Sequence, residues 1–376
     1  MRTNLIHPGE LGPDEIKAWK AITAEMGTHS AFMEPEFARA AGQARGDARV
    51  AVFENDGKIV GFWPFHKRPM HFARPIGAPF SDQHGPAIRP GAAFDPAAAL
   101  KAMGMCAYAY STLLDPEARF SSGARAVQDG YVAETGGDGQ AYAARLKAEH
   151  KRYHKTIERR RRKLENERGS VEIVLRDRDP EAFEQVLRWK REQYAATGLH
   201  DVLAPRWVRV MLDALGDTDA EDHGLRMSTL RVDGRLAAGE ICLLGAGSLH
   251  SWIPAYDAEF GIYSPGLQLL RGLIEGTGEL GADRVDLGAG HGYYKRYFTF
   301  ERRALIDGAA FARGAGAQVM KSAMGGWRGL ETAPLGPMSK LAGKARRRLG
   351  QIAAVEPGLG GRVRGVARAF RQHAPG

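Results

Sequence analysis

Two carboxylates interrupt apolar, strand-like segments in the second half of the chain. Glu240 lies inside the run from Leu236 to Leu244, and Asp286 lies between apolar neighbours just before a glycine-rich bend. Burying a carboxylate is costly unless it faces a cleft or has a partner. Glu240 is therefore the first candidate for a general base and Asp286 the second. For both, a carboxylate hydrogen-bonded to backbone or paired with a basic side chain is the alternative.

The glycine-rich stretch after Asp286 carries further groups that can move protons or hold anions. His291 lies within GAGHG, and its imidazole can titrate near neutrality and assist proton transfer. Lys295 and Arg296 follow and can neutralise a phosphate or an acidic acceptor. Loop histidines and solvated basic pairs are common, so a structural role stays open for all three.

The sequence YSPG at residues 263–266 has the composition of a helix start. Ser264 suits the N-cap, Pro265 suits the first turn, and Gly266 allows close approach to the backbone. Free N–H groups and the positive end of the helix dipole can hold a diphosphate there. Tyr256 and Asp257 end the preceding strand and are expected to line the same groove, with a turn-forming aspartate as an equal alternative.

A group of aromatic and polar residues in the first half is a candidate acceptor-facing surface. Aromatic faces with polar edges suit a sugar or a nucleotide-sugar, and they suit a domain interface as well. The group contains Trp63, Phe65, His66, Lys67, Phe80, Ser81, Asp82, His84 and Gly85. Within it, Trp63, His66, Asp82 and His84 are the residues expected to bind the acceptor.

Two segments separated by almost half the chain share one pattern. Alternating apolar runs flank Asp56-Gly57 in residues 49–65 and Asp233-Gly234 in residues 225–244. Asp-Gly between such runs is typical of a tight β-hairpin. Because the second pair follows the first by 177 residues, the sequence favours duplicated α/β domains.

The second half predicts a complete order of elements. The order is a strand at 171–176, helices at 180–198 and 205–216, the hairpin, a strand at 248–256, a helix at 264–281, a strand at 284–287, a short helix from 293 and a strand near 304–311. This order is typical of a mixed α/β sheet covered by helices.

The net charge of +9 is concentrated in two segments. Between Lys151 and Lys163 there are eight basic residues and one acid, and between Lys340 and Arg371 there are nine and one, so the remaining chain is acidic. Residues 140–168 are predicted to form one connecting helix, about 40 Å long, that docks through a narrow apolar stripe. Its charged faces are either solvated or bind an anionic ligand or lipid head groups. Nucleic acid is a minor expectation, since the folded body is not basic.

Composition and cysteine usage restrict the class of protein further. A length of 376 residues suggests two domains, and 44% hydrophobic residues argue against a disordered chain. Cys106 and Cys242 stand alone, which argues against a disulfide framework or a structural zinc site, and no metal is expected. The N-terminus has no apolar segment, so a cytoplasmic protein is expected. The tail after Phe311 is expected to be flexible, with amphipathic fragments at 339–349 and 362–370 that can contact an acidic partner or a membrane surface.

Four segments together resemble the GNAT-like acyltransferases of the CelD/BcsL type, which are named for their association with cellulose and other polysaccharide biosynthesis. They are HKRYHKTIERRRRKLENERG, LRVDGRLAAGEICL, AYDAEFGIYSPGLQLL and VDLGAGHGYYKRYF, with weaker similarity in MEPEFARAAG and FSDQHGPAI. The resemblance covers residues 30–310. The family is related in architecture to Fem-type aminoacyl-transferases, which use paired GNAT-like domains.

The resemblance implies tandem GNAT-like domains and transfer of an acyl group from acetyl-CoA or another acyl-CoA to an amine. The implied boundaries are 1–139 for a degenerate first domain, 140–168 for the connecting helix, 169–315 for the acyltransferase domain and 316–376 for the tail. Glu240, Asp286, Tyr294 and His291 are the implied catalytic residues, with Tyr293 or Tyr294 placing a phenol near the leaving sulfur. The implied donor-binding residues are Tyr256, Asp257, Tyr263, Ser264, Pro265, Gly266, Lys295 and Arg296.

Three other functions compete with this interpretation. VDLGAGHG also matches the fingerprint of S-adenosylmethionine-dependent methyltransferases, but the strand–helix units that should follow it are missing. A Fem-like transferase that uses aminoacyl-tRNA is the nearest alternative, with the basic helix serving the tRNA. A catalytically silent scaffold of a polysaccharide-synthesis complex is the third, and the absence of a clear glycine-rich acetyl-CoA loop favours it.

Overall fold

The computed structural model describes residues 1–28, 30–216, 220–290 and 292–332. Within them, thirteen strands form one continuous sheet. The strands are β1 (Arg2–Ile6), β2 (Ala48–Asn55), β3 (Lys58–Arg68), β4 (Phe72–Pro75), β5 (Ala87–Ile88), β6 (Ala107–Leu114), β7 (Ala124–Glu134), β8 (Val171–Val174), β9 (His223–Val232), β10 (Arg235–Gly245), β11 (Ser248–Tyr256), β12 (Arg284–Ala289) and β13 (Glu301–Phe311). The α-helices are α1 (Pro13–Met26), α2 (Pro35–Ala44), α3 (Pro96–Ala102), α4 (Gly139–Glu149), α5 (Lys151–Arg168), α6 (Pro180–Ala196), α7 (Arg206–Gly216), α8 (Pro265–Glu275) and α9 (Ala315–Thr332).

The sheet is built from two halves that repeat the same strand order from each edge inward. The order is β1-β2-β3-β4-β6-β13-β7-β12-β11-β10-β9-β8, with β5 attached to β3. The last strand of each half crosses into the other half, because β7 pairs with β12 and β13 pairs with β6. β7 and β13 also pair with each other at the centre. This exchange joins the halves into a single mixed sheet.

Both predicted hairpins are present and their turns are of the same kind. Asp56 and Gly57 connect β2 to β3, and Asp233 and Gly234 connect β9 to β10. All four residues have positive φ, from 45° to 78°, as a two-residue turn that follows the twist of the strands requires. The predicted order of elements in the second half is confirmed from β8 to β13. The residue boundaries proposed for the domains stay a prediction.

Helices cover both faces of the second half of the sheet. On one face α6 and α7 pack against the strands, with Val186, Met211, Ile241 and Ile253 in a shared core. On the other face α8 packs against β10 and β12 through Leu273 and Ile274. Apolar side chains alternate between these two cores along β10, which is why a run with so little polar character forms a central strand.

The connecting region differs from the single long helix expected over residues 140–168. The structure has two helices, α4 and α5, separated at His150, whose φ of −109° and ψ of 42° are not helical. The His150 ring packs edge-on against Tyr297 at 5.3 Å and lies 6.3 Å from the Phe300 ring. The apolar stripe predicted the docked face correctly, but tertiary packing at His150 redirects the chain. The predicted tail fragments at 339–349 and 362–370 lie outside the described residues.

Candidate active site

An opening between two neighbouring strands lies at the centre of the second half. β11 and β12 run parallel and pair only at Ser248–His250 with Arg284–Asp286. β11 is also irregular against β10, because Ile241 lies opposite Ile253 whereas Cys242 lies opposite Ser251, which leaves Trp252 as an extra residue. A bulge of this kind redirects backbone groups and side chains at the edge of a pairing. Beyond the paired residues the two strands have no further register, and α8 begins at the end of β11.

Glu240 is buried on β10 and accepts a hydrogen bond from the Ser251 hydroxyl on β11. Cys242 and Leu244 share its side of the strand and pack with Leu273 of α8, so Glu240 faces the side of the sheet that carries α8. Burial raises the pKa of Glu240, while the Ser251 hydroxyl and the charge of Lys190 oppose the shift. The carboxyl group is therefore poised to exchange a proton nearer to neutrality than an exposed glutamate.

Asp286 is fully buried on β12 and faces the opposite side of the sheet. Its Oδ1 accepts hydrogen bonds from Gln83 Nε2 at 2.8 Å and from the Gly288 N–H at 2.7 Å. Arg303 Nη1 lies 3.9 Å from its other oxygen. Burial favours the neutral acid, but the hydrogen bond and charge of His250, the charge of Arg303 and the Gly288 N–H hold the pKa of Asp286 below its usual range.

His250 on β11 is enclosed by two carboxylates. Its Nδ1 lies 3.6 Å from Asp286 Oδ1, and its Nε2 lies 3.0 Å from Oδ2 of Asp82 in the loop after β4. Burial alone lowers the pKa of His250, but the two carboxylates outweigh it and raise the pKa to about 9. The imidazole is thus a cation at neutral pH, while Asp82, whose side chain is 46% exposed, forms the solvent end of the group.

Three further side chains lie within electrostatic range of Asp82. Burial lowers the pKa of Lys190 and of Lys295, and the charge of Asp82 opposes both shifts. Lys190 donates to the Pro254 carbonyl at 3.1 Å, and Lys295 donates to the Ala289 carbonyl at 2.6 Å. Burial and then the charge of Asp82 raise the pKa of Tyr194 to about 12. Side chains from α6 and from the loop after β12 therefore lie around the Asp82 carboxylate.

Tyr294 lies on the same side as Glu240. Its half-buried ring packs near Phe298, with the ring centroids 6.5 Å apart. Burial, together with the charge of Glu240, raises the pKa of Tyr294 to about 12. The phenol therefore keeps its proton at neutral pH and can donate it. Tyr293, the other candidate, is 65% exposed, and its ring is covered by Arg296 at 3.9 Å.

The start of α8 is formed as predicted except for its cap. Pro265 is the first helical residue, which confirms its predicted position. Ser264 occupies the N-cap position with φ of 57°, but its hydroxyl caps no helix N–H and instead accepts from Arg160 of α5 at 2.5 Å. A side chain at Gly266 would have its nearest neighbour, Tyr256 Cδ1, at 3.8 Å, so the protein itself does not require glycine there. A phosphate at this helix start would meet a guanidinium from α5.

The remaining predicted donor residues have structural partners. Asp257 caps the following turn through the Glu259 N–H at 2.9 Å and pairs with Arg235 at 2.8 Å, so the turn-forming alternative describes it. Tyr263 is buried, and its hydroxyl donates to Glu167 at 2.7 Å, so it packs against α5 instead of lining a groove. Tyr256 is 46% exposed at the end of β11. The Arg296 guanidinium packs on the rings of Tyr293 and Tyr297, at 3.9 Å and 5.0 Å from their centroids.

Three of the four predicted acceptor residues are part of the first-half core, which corrects that expectation. Trp63 is fully buried, with the Tyr108 ring 4.9 Å away. His66 accepts from the Gly77 N–H and pairs with Asp47 at 3.0 Å. His84 is bonded through Nε2 to the Ser111 carbonyl at 2.7 Å. Apolar strands bury these side chains, and burial lowers the pKa of each histidine to about 4. Asp82 alone of the four reaches the opening.

The predicted catalytic residue His291 and possible metal ligands remain to be placed. His291 lies outside the described residues. Within the described ranges, no group of three or more histidine, cysteine, aspartate or glutamate side chains is arranged to hold a metal ion.

Sequence reasoning missed several residues at the opening, above all His250, Gln83, Ser251, Lys190 and Arg160. His250 and Ser251 stand in a strand, SLHSWIPAY, that was predicted correctly. Two polar side chains in adjacent positions of a central strand were an available signal, because each must find a partner on its own side of the sheet. Gln83 and Arg160 gave no such signal, because their partners are more than a hundred positions away.

A search against models of protein families finds a match in the second half of the chain. A family described as an acetyltransferase (GNAT) domain matches residues 151–296, from the start of α5 to the segment after β12. Residues 151–296 are thus similar to a GNAT acetyltransferase domain. The opening between β11 and β12, Glu240, His250, Asp286 and the start of α8 all lie inside the matched range of this domain. A comparison with curated proteins gives no match.

Solved structures share the overall fold at low sequence identity. FemX superimposes with a TM-score of 0.52 at 10% identity, and the match covers 81% of this chain and 96% of FemX. A tandem GNAT protein from the clavulanic acid biosynthesis pathway has a TM-score of 0.44 at 12% identity, with coverage of 84% and 100%. The likeness to FemX agrees with the mixed α/β fold, whereas the specific CelD/BcsL assignment stays a prediction.

Proposed function

We propose that this protein is an acyl-CoA-dependent N-acyltransferase that acts on an amino-sugar or a similar small acceptor in polysaccharide or cell-envelope biosynthesis. The GNAT-like acetyltransferase domain supports an acyltransferase at the level of the family. The observation that carries the proposal is the convergence of proton-handling groups at the opening between β11 and β12. Glu240 and Tyr294 line one side, and His250 with its two carboxylates lines the other.

Acyl transfer needs a base for the amine and an acid for the sulfur. The acceptor nitrogen attacks the thioester carbonyl, so that a C–N bond forms and the C–S bond breaks. The carboxylate of Glu240 takes the proton that the nitrogen loses, directly or through a water. Tyr294, which is neutral at working pH, gives its proton to the departing thiolate. Tyr294 then recovers a proton from solvent, and Glu240 releases the one it gained.

The acceptor is proposed to enter beside Asp82. This carboxylate is partly exposed and comes from the first half, whereas His250 and Asp286 come from the second. An amine acceptor arrives as an ammonium ion, which Asp82 can orient at the mouth of the opening. It loses one proton to solvent and then attacks as the neutral amine, so the proton that Glu240 takes is the second one, released as the C–N bond forms. His250 is buried and holds the Asp82 carboxylate in place. The site is complete only when the two halves are together.

The donor is proposed to lie with its diphosphate at the start of α8. The backbone N–H groups of the first turn and the guanidinium of Arg160 offer hydrogen bonds to phosphate oxygens. Gly266 leaves the backbone open to close approach. From that point the pantetheine arm would run along the opening toward Ser251 and Glu240. The residues present therefore fit an acyl-CoA.

Binding and turnover of defined donors test the proposal. Calorimetric titration with acetyl-CoA is expected to give saturable binding, and a panel of amino-sugars is expected to release free CoA thiol in an assay with a thiol reagent. S-adenosylmethionine is expected not to bind. Absence of binding to acetyl-CoA and longer acyl-CoA donors would contradict the proposal and favour a silent scaffold.

A Fem-like transferase that uses aminoacyl-tRNA is the second candidate. The observation in its favour is that 81% of this chain superimposes on 96% of FemX, with a TM-score of 0.52. The exposed basic residues of α5 are the surface on which such a donor would rest. Titration with charged tRNA separates the two candidates, because an acyl-CoA enzyme should show no aminoacyl transfer from it.

A further inference from the structure

One face of α5 carries five exposed basic side chains. Lys151, Arg152, Lys155, Arg159 and Arg162 are all exposed, and none makes a side-chain hydrogen bond or an ion pair with any residue that the structure describes. The other cations of the helix are engaged, as in the pairs Arg161–Glu165, Lys163–Glu167 and Arg168–Glu259.

The five side chains form one continuous strip. At 100° per residue their positions fall within a sector of about 100° on the helix. Along the axis, Lys151 and Arg162 are separated by about 16 Å at 1.5 Å per residue. The strip lies opposite the buried residues His154, Ile157 and Leu164, which dock the helix on the domain. It is therefore a convex, outward-facing basic ridge.

Two exposed apolar side chains lie in segments that pack on α5 through residues outside the basic ridge. Ile262 is 68% exposed in the turn before α8, and the next residue, Tyr263, packs on α5 beside Lys163. Tyr293, 65% exposed, is joined to Tyr297 through their hydroxyls at 2.7 Å. Exposed isoleucine and tyrosine next to a row of cations are typical of a surface that meets a lipid headgroup layer.

The aromatic rings of the segments that pack on α5 argue against a single-stranded nucleic acid as the partner of the basic ridge. Single-stranded nucleic acids bind by stacking bases on free aromatic faces. Here Tyr153 and Tyr297 stack on each other at 4.1 Å, and the face of Tyr293 is covered by Arg296. The ridge is also convex, whereas the backbones of single-stranded nucleic acids run in basic grooves. The exposed Ile262 side chain would also find no apolar surface to pack against on a nucleic-acid backbone.

We propose that the basic ridge of α5 docks the protein on an anionic lipid surface. Each basic side chain near such a surface adds to the attraction, so five cations without an ion pair among the described residues give measurable peripheral binding. Within the described residues no helix is both long and apolar enough to cross a bilayer. The helix that carries the ridge also contacts the start of α8, through Arg160 and Ser264. This attachment is separate from the proposed acyl transfer and holds whether or not that proposal is correct.

Sedimentation with lipid vesicles tests the inference on the full chain. Vesicles that contain about 30% phosphatidylglycerol are expected to bind the protein, and pure phosphatidylcholine vesicles are not. The variant Lys151→Gln/Arg152→Gln/Lys155→Gln/Arg159→Gln/Arg162→Gln is expected to lower the partition coefficient at least tenfold. Residues 333–376 are unchanged in it, so any contribution from them is common to all samples.

A matched variant controls for net charge. Lys17, Arg39, Lys58, Lys67 and Lys101 are exposed, lie in the first half and have no ion pair within the described part of the chain. Their simultaneous change to glutamine removes the same charge and is expected to lower partition less than twofold. Circular dichroism confirms that both variants are folded.

Two results would overturn the inference. One is an equal loss of vesicle binding in the two five-site variants, which would show a response to net charge alone. The other is the absence of binding to phosphatidylglycerol vesicles. Tight, ridge-dependent binding of a single-stranded RNA, measured by fluorescence anisotropy, would then identify a nucleic acid as the partner instead. The variant Ile262→Ser adds a salt-independent check, because it is expected to weaken binding modestly without changing the slope against salt concentration.

Discussion

Asp82 reaches across from the first half of the chain and places its Oδ2 3.0 Å from Nε2 of His250 in the second half. On the other side of the ring, Asp286 Oδ1 lies 3.6 Å from Nδ1. The imidazole is almost fully buried between the two carboxylates. This ion pair exists only when the halves are joined, so the chemistry of the opening and the cohesion of the two domains depend on the same contact.

The pair between Asp82 and His250 makes the stability of the protein depend on pH. The pKa of His250 is about 9 in the folded protein, against 6.5 for an ordinary histidine. A raised histidine pKa stabilises the fold fully below pH 6.5, and this contribution is lost as the pH rises through 9. Asp82→Asn is therefore expected to lower the free energy of unfolding by about 1–2 kcal/mol at pH 6 and by much less at pH 10, as measured with denaturant.

The exposed pair Arg302–Asp129, at 3.0 Å, provides the control for this prediction. Asp129→Asn is expected to change the free energy of unfolding by less than about 0.5 kcal/mol at either pH, because exposed ion pairs contribute little. An equal loss at pH 6 and pH 10 in Asp82→Asn would show that His250 is not the group responsible.

Glu240→Gln tests the proposed base. Glutamine keeps the size of the side chain and can still bond to Ser251, but it cannot take a proton. The substitution is expected to lower kcat by about 10² or more while the affinity for acetyl-CoA changes little. Release of CoA thiol measures kcat, and calorimetry measures the affinity for acetyl-CoA. Glu172→Gln, at an exposed position on β8, is the control and should leave both unchanged. Unchanged turnover in Glu240→Gln would remove Glu240 from this role.

The elements of the fold were predictable because their signals are local. The turns at Asp56-Gly57 and Asp233-Gly234, the start of α8 at Pro265 and the glycine-rich end of β12 each depend on a few neighbouring residues. The exchange of β7 and β13 between the halves was not predicted. Both strands carry ordinary strand patterns, and which neighbour a strand pairs with is decided by contacts far away in sequence.

The candidate site was predictable only in part, for the same physical reason. Glu240 and Asp286 were visible because a carboxylate in an apolar strand is locally anomalous. Trp63 and His66 were misplaced because an aromatic or a histidine gives the same local signal in a core as in a binding surface. The Asp82–His250 pair joins positions 168 residues apart and has no local signal. No pattern within either half could have indicated it.

Gly266→Ala tests the proposed diphosphate position at the start of α8. The added methyl group would meet its nearest neighbour at 3.8 Å, which is ordinary contact, and alanine favours a helix more than glycine does. The free energy of unfolding is therefore expected to be unchanged or slightly higher. The affinity for acetyl-CoA is expected to fall at least fivefold, because the methyl group occupies the space where the phosphate approaches the backbone.

Gly261→Ala is the matched control for the helix start. Its added methyl group also has only ordinary contacts, with Tyr256 Cε2 at 3.6 Å, but it lies in the preceding turn. The free energy of unfolding is expected to be unchanged, and the dissociation constant for acetyl-CoA is expected to stay within twofold of that of the parent protein. Equal affinity in Gly266→Ala and Gly261→Ala would place the diphosphate elsewhere.

Glu34, at the start of α2, is expected to give a second and separate pH dependence. Its side chain is buried, and one carboxyl oxygen has no hydrogen-bond partner among the described residues. Burial and then the charge of Glu36 raise its pKa from 4.5 to about 8. The folded protein therefore holds a proton that the unfolded chain releases, and the free energy of unfolding falls as the pH rises from 4.5 to 8.

Glu34→Gln removes this titration, because glutamine resembles the protonated acid at every pH. The variant is expected to be more stable than the parent protein by about 1–3 kcal/mol at pH 8 and no more stable at pH 4.5. Denaturant unfolding across this range measures the difference, with Glu172→Gln as the exposed control. Since the effects of Glu34 and Asp82 overlap between pH 6.5 and 8, the double variant Glu34→Gln/Asp82→Asn should show the sum of the two changes if the sites are independent. A parent-like slope in Glu34→Gln would mean that Glu34 is already ionised in the folded protein.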